Sequence, residues 1–254
     1  MTRFIVVADA CCNHMGSMTL AKAMIRAAYD AGCSIIKFQY YKTEEIIAYE
    51  RRRPDSLYTD ELFAAIRETE LGIDQLRELK AYADELGIEW MCTPFLHVER
   101  LKELEEYVNP RRWKIRERDS HNMELIRAAV DTGKEVFLSV REAPKDPYIV
   151  FNPHIKLLKC IPRYPPRPDD LNLYDFTFFD GFSDHYPHIT YALAAATVAL
   201  MSGKEEFIIE KHLKMPGTKP IDDAVSITPD QFARLVQHLR RLEECGAGVR
   251  KSYL

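Results

Sequence analysis

No stretch of this 254-residue chain reaches the roughly 18 consecutive apolar residues that a membrane helix requires. Met1-Thr2-Arg3 leads straight into an apolar β-rich run, without the layout of a signal segment. A membrane partner and secretion are therefore not expected, and the cytoplasm is the expected compartment. Cysteine is sparse: the six residues at 11, 12, 33, 92, 160 and 245 include no C-x-x-C pair, which reads as free thiols rather than a disulfide frame. An excess of one charge is missing too. Thirty-five Lys+Arg face 39 Asp+Glu, a formal net charge of −4, so composition gives no support for a nucleic-acid partner. No linker, repeat or low-complexity tract interrupts the chain, and one domain over 1–254 is expected.

What is present is an ordinary globular composition, 46% apolar and 29% charged, which argues against disorder. Short apolar runs lie at 4–8, 35–39, 88–92, 113–115, 135–139, 155–160, 178–182 and 206–211. They are continuous rather than alternating, as strands covered on both faces tend to be. Helical periods fill 19–31, 73–86, 97–107, 120–132, 188–201 and 229–245, three of them closing on Gly32, Gly87 and Gly133. The connections 141–154 and 161–177 are proline-interrupted and read as long loops with at most brief helices. This α/β alternation predicts a (β/α)8 TIM barrel. A doubly wound open sheet is the runner-up, although no glycine-rich phosphate turn follows the first strand.

A parallel barrel gathers its chemistry at the C-terminal ends of its strands. Asp9, Asn13 and His14 follow strand one; Lys37 and Gln39 lie on strand two; Thr93 ends strand three. Lys114 sits on strand four before Arg116, Glu117 and Arg118; Ser139 ends strand five before Arg141; and Lys159, Arg163 and Tyr164 lie on or just after strand six. Ser183, Asp184 and His185 end strand seven, while Glu210, Lys211 and His212 end strand eight. Lysines inside apolar strands need a partner, because an unpaired buried ammonium costs several kcal/mol. Lys37 and Lys114 therefore face either a structural carboxylate or a bound anion. His185 and His212 end adjacent strands, and either they are hydrogen-bonded structural residues or they share a divalent ion. Asp9, Asp184 or Glu210 would then complete a mixed shell.

Several stretches together resemble the sialic acid synthase family: NHMG (13–16), KFQ (37–39), TPF (93–95), WKI (113–115), LS (138–139), YPPRPDDLNL (164–173), GFSDH (181–185), IEKHL (209–213) and PGTKPIDDAVSITPDQF (216–232). The resemblance implies a (β/α)8 enzyme that condenses phosphoenolpyruvate with an aldehyde sugar to a 2-keto acid, with a divalent metal, Mn2+ or Mg2+, and as a homodimer. It implies that Lys37, Thr93, Lys114, Ser139, Tyr164 and Ser183 hold phosphoenolpyruvate and that His185 and His212 bind the metal. Gln39 and Asp222 would lie near metal and acceptor, and Asp9 or Glu210 would transfer protons.

The departures from the family pattern cluster at the anion site. Asp9 stands for a glutamate, and Arg116-Glu117 for alanine and a phosphate-binding serine. Val140-Arg141-Glu142 replaces Thr-Gly-Met, Pro162 an asparagine and Asp223 a histidine. The family's small antifreeze-like C-terminal domain is not expected in this chain. Arg116, Arg141 and Arg163 are either a rebuilt anion pocket or solvated loop residues. Two further readings stay open: a lyase or aldolase acting on a non-phosphorylated keto acid, and a catalytically reduced partner subunit. Outside the motifs, Arg51-Arg52-Arg53 reads as a solvated or subunit-facing loop, and Cys11-Cys12 as packing.

Overall fold

Parallel strands cannot be joined by a tight turn, so every strand here is followed by a crossover. The computed structural model describes residues 2–54, 56 and 58–251. Its first half runs β1 (Arg3–Asp9), α1 (Met18–Asp30), β2 (Ile35–Tyr40), α2 (Thr43–Glu50), α3 (Asp60–Glu68), α4 (Ile73–Leu86), β3 (Glu89–Pro94), α5 (Val98–Tyr107), β4 (Trp113–Ile115) and α6 (Met123–Asp131). The second half runs β5 (Val136–Val140), α7 (Pro147–Val150), β6 (Ile155–Cys160), α8 (Asp175–Phe178), β7 (Gly181–Asp184), α9 (Thr190–Met201), β8 (Glu206–His212) and α10 (Pro229–Lys251). The strands pair in sequence order, and β8 returns to β1 to close a barrel. The closing register runs parallel from Arg3↔Glu206 to Asp9↔His212, which excludes the open doubly wound sheet.

Successive strand residues point to opposite faces, and that period of two builds both the floor and the site. Ile5, Val7, Ile35, Met91, Phe137, Leu158 and Ile208 form a cluster of their own inside the barrel. The intervening positions, such as Trp90, Trp113, Leu138 and Phe207, join the helices in the larger outer core. Two residues beyond the floor on each strand stand Asp9, Lys37, Thr93, Ser139, Cys160 and Glu210. The pleat that buries the floor thus aims these polar side chains into the C-terminal mouth. All of them are buried.

Three sequence expectations need correction. The seventh strand spans Gly181–Asp184, not 178–182, because Asp175–Phe178 close a helical turn and Asp180 is tied backbone and side chain to Leu157. Helix α6 starts at Met123 rather than 120, where the Asn122 side chain caps it by accepting from the Leu125 N–H at 3.1 Å. The connection after β2, in which no helix was expected, carries α2 and α3. Their Ile46, Phe63 and Ile66 pack with Cys11, Cys12, Tyr41, Phe95 and Leu96 as a second apolar cluster beside the mouth. The brief helices expected after β5 and β6 are the single turns α7 and α8, and the Tyr164–Pro165 bond is cis. Among the described residues no helix is long and apolar enough to cross a membrane.

The barrel wall tolerates no side chain at Gly181. A Cβ there would stand 2.5 Å from the Ile208 carbonyl oxygen and 2.8 Å from the Ile208 Cβ, both parts of a rigid strand. Gly181→Ala should cost about 1–3 kcal/mol through overpacking, read as a lower urea midpoint at unchanged slope.

Candidate active site

Four charged side chains from four strands meet at the mouth. Lys37 Nζ lies 2.8 Å from Asp9 Oδ2 and 3.3 Å from Glu210 Oε1, and Lys114 Nζ lies 3.6 Å from the same Glu210 oxygen. Ser183 Oγ donates to Glu210 Oε1 at 2.8 Å, and Lys114 donates to Ser139 Oγ at 2.7 Å. Register explains the pairing, since Asp9 faces Lys37 across β1–β2 and Ser183 faces Glu210 across β7–β8. Burial alone would lower the Lys37 pKa, but the Asp9 and Glu210 carboxylates outweigh it and hold it above the ordinary lysine value. Lys114 goes the other way: burial and the Lys37 charge lower it against the pull of Glu210. Burial works to raise Glu210, yet the two ammonium groups and the Ser183 hydroxyl bring it down to about 2. Glu210 Oε2 and Thr93 Oγ1 are buried with no hydrogen-bond partner among the described residues.

Beside this network lies a second group. The His185 and His212 ring centroids are 5.2 Å apart, close enough for both imidazoles to approach one ion. Tyr164 meets His185 Nε2 at 2.6 Å, and His185 Nδ1 lies 3.9 Å from Cys160 Sγ. His212 Nδ1, buried, has no hydrogen-bond partner and lies 3.8 Å from both Asp9 Oδ2 and Asp222 Oδ2. Gln39 Nε2 donates to Cys11 Sγ at 2.9 Å, and Cys11 Sγ stands 2.7 Å from Asp222 Oδ2. Imidazole, thiol and carboxylates around an orphaned buried nitrogen fit a divalent cation of borderline softness. Cys11, read from sequence as packing, is the site residue that was missed. A free thiol behaves as a small hydrophobe in sequence, and its one signal was its place two residues after Asp9.

The structure brings together Asp9, Lys37, Lys114, Ser139, Ser183 and Glu210, and beside them Gln39, Tyr164, His185, His212 and Asp222. Asp184 is not among them. It faces the opposite side of the wall, where its carboxylate binds Lys211 at 2.7 Å, both fully buried. The arginines weighed as a rebuilt anion pocket each have a carboxylate. Arg116 binds Asp119 at 2.7 Å with its guanidinium 3.8 Å above the Phe95 ring, and Arg163 binds Asp170 at 3.1 Å. Arg118 reaches the buried Glu50 at 3.3 Å, and Arg141 grips Glu117 with both carboxylate oxygens engaged.

The sequence profile of the NeuB family matches residues 24–251. The chain belongs to the NeuB family. Human N-acetylneuraminate-9-phosphate synthase is 29% identical to it over 273 residues, spanning 98% of this chain and 73% of that protein. The N,N'-diacetyllegionaminic acid synthase of Campylobacter jejuni is 25% identical over 277 residues, 99% of this chain and 80% of that protein. Among solved structures, an N-acetylneuraminic acid (sialic acid) synthetase from Leptospira borgpetersenii in complex with citrate aligns at TM-score 0.81 and 31% identity. That alignment covers 95% of this chain and 84% of the Leptospira chain. A truncated 3-deoxy-D-arabino-heptulosonate 7-phosphate synthase from Thermotoga maritima, 18% identical at TM-score 0.66 over 96% of this chain and 88% of that one, shares the fold.

This NeuB-family chain carries a pH-sensitive residue in the turn after β1, beside Phe38 of the outer core. His14 is buried, accepts the Gly16 N–H at Nδ1 (3.2 Å), and burial pulls its pKa down to about 4. The unfolded chain protonates it near pH 6.5, so its contribution is complete above that pH and drains away as pH falls toward 4. His14→Gln should remove on the order of 3 kcal/mol of the parent chain's loss of stability between pH 6.5 and 4, read as a smaller fall in melting temperature across that range.

Proposed function

We propose that the chain condenses phosphoenolpyruvate with an aldehyde sugar to a 2-keto acid, releasing phosphate with the help of a divalent cation. One observation carries the reading: two buried ammonium groups from β2 and β4 share a single carboxylate oxygen at the barrel mouth. An incoming carboxylate or phosphate offers Lys37 and Lys114 the charge that Glu210 now supplies, and Thr93, Ser139 and Ser183 add hydroxyls along the same rim. The synthase names borne by the relatives agree with a sugar-acid product.

The chain's own groups account for the proton traffic. The enol carbon of phosphoenolpyruvate attacks the aldehyde carbon, whose oxygen takes the C=O electron pair and a proton to become the product hydroxyl, leaving positive charge at the carbon that carries the phosphate ester. Water adds there, and its proton passes to a carboxylate; the C–O bond to phosphate then breaks and inorganic phosphate leaves. Asp9 is placed for this role by its Cys11 N–H hydrogen bond (3.0 Å) and its Lys37 ion pair. Glu210 is too acidic to accept a proton while both lysines face it; a substrate anion that takes the lysines over raises its basicity. Asp9, Cys11, His212 and Asp222, with His185 beside them, are the residues that would hold a divalent cation, which would supply polarisation of the aldehyde oxygen.

A second reading is favoured by one feature. Glu117 stands where the family has a phosphate-binding serine and already holds Arg141, as suits a keto acid without phosphate. Phosphate release from phosphoenolpyruvate across a panel of aldehyde sugars with a divalent cation separates the two. The first reading expects release that depends on the acceptor and falls at least about 100-fold in Lys114→Met. Cleavage of a keto acid to pyruvate, with no phosphate released from phosphoenolpyruvate, would replace it with the second.

A further inference from the structure

Cys11 adopts a left-handed backbone conformation, φ 46°, that side-chain-bearing residues seldom take. The turn is held by its own N–H, which donates to Asp9 Oδ1 at 3.0 Å, and it carries the sulfur to the mouth instead of the wall. There the sulfur accepts from Gln39 Nε2 and lies beside Asp222 Oδ2. One donor atom each from Asp9, Cys11 and His212 lie within 4.8 Å of one another, all from buried residues. The second observation is independent of the thiol. The His212 side chain is 8% exposed, and its Nδ1 has no hydrogen-bond partner among the described residues while facing two carboxylates at 3.8 Å.

The two His212–carboxylate separations match a closed coordination shell, and the 2.7 Å Cys11–Asp222 contact is a thiol hydrogen bond whose proton a bound ion would replace. Bonds of 2.0–2.3 Å in a tetrahedron put neighbouring donor atoms about 3.3–3.8 Å apart. Charge balances as well. The carboxylates of Asp9 and Asp222 and a Cys11 thiolate offset a divalent ion together with the Lys37 ammonium that shares Asp9 Oδ2. The Gln39 amide would orient the sulfur from outside the shell, as outer hydrogen-bond donors do at metal sites.

We propose that Cys11 is a metal ligand, its thiolate joining His212, Asp9 and Asp222 in a mixed S/N/O site. This goes beyond a metal held by His185 and His212 alone, because a sulfur donor changes which ion is selected. Thiolate favours Zn2+, Co2+ or Fe2+ and gives Mg2+ no purchase. His185 Nε2 is engaged by Tyr164 at 2.6 Å and His185 is not part of the Asp9, Cys11 and His212 group, so the sulfur assignment does not depend on it.

Cobalt reads the ligand directly, with no substrate and no turnover, so the outcome is separate from that of the condensation reading. The full chain, stripped of metal and titrated with Co2+, should bind one equivalent and develop a near-ultraviolet sulfur-to-cobalt charge-transfer band. Cys11→Ser, nearly isosteric, should lose that band and weaken Co2+ binding at least about tenfold, with circular dichroism and melting temperature retained. Cys12→Ser and Cys160→Ser should keep the band. Zn2+ should displace the cobalt, and Mg2+ should not. Co2+ bound without the band, a band that survives Cys11→Ser, or a chain that binds no Co2+ would each overturn the assignment.

Discussion

The ion network Asp9–Lys37–Glu210–Lys114 is the constraint around which the mouth is built. Four formal charges are held in a barrel interior whose floor is wholly apolar. As a source of stability this is a poor choice, since well-packed apolar residues of similar volume often do as well or better than a buried ion pair. Its value lies in the arrangement. One Glu210 oxygen satisfies two ammonium groups and a hydroxyl, while its other oxygen satisfies nothing. Two lysines and two carboxylates leave this network neutral, so an entering anion would have to displace a carboxylate from the ammonium groups or add net negative charge.

Similar chemistry on the other face of the wall shows how much the pleat decides. Lys211 and Asp184 are as buried as Lys37 and Asp9, yet one residue of offset turns them outward, where the ammonium is closed off by the Asp184 carboxylate and the Tyr186 carbonyl at 2.7 Å. Nothing is left there for a ligand to take over. Composition cannot separate the two pairs; the period of two can.

That is also where the sequence was legible and where it was not. Strands covered on both faces are short apolar runs, so seven of the eight strands were readable, and lysines within them stood out against Ile, Phe and Trp. The seventh was displaced because FFDGF is as apolar as a strand, although Phe178 is half exposed and the paired register with β6 and β8 begins only at Gly181. Helices α2 and α3 are too short for periodicity to register, and tyrosines and arginines around them blur what remains. Cys11 was invisible for a different reason. Its role depends on a left-handed backbone turn and on Asp222, 211 positions away in sequence, which no local pattern carries.

The departures at the anion rim take on another meaning once the partners are known. Read one at a time, Glu117 in place of a serine repels an anion and Arg141 attracts one. In space they are one pair, Arg141 spending its guanidinium on both oxygens of Glu117, and Lys159 closing over the Arg141 carbonyl at 2.6 Å while its charge goes to Asp175 at 2.8 Å. The pair adds no net charge to this part of the rim, and the Arg141 guanidinium is engaged by Glu117. The inner lysines are paired differently: among the described residues their carboxylates are Asp9 and Glu210, inside the mouth itself. Among the described residues the rim arginine is thus closed by its own ion pair, while the unpartnered oxygen of Glu210 lies deeper in the mouth beside Lys37 and Lys114.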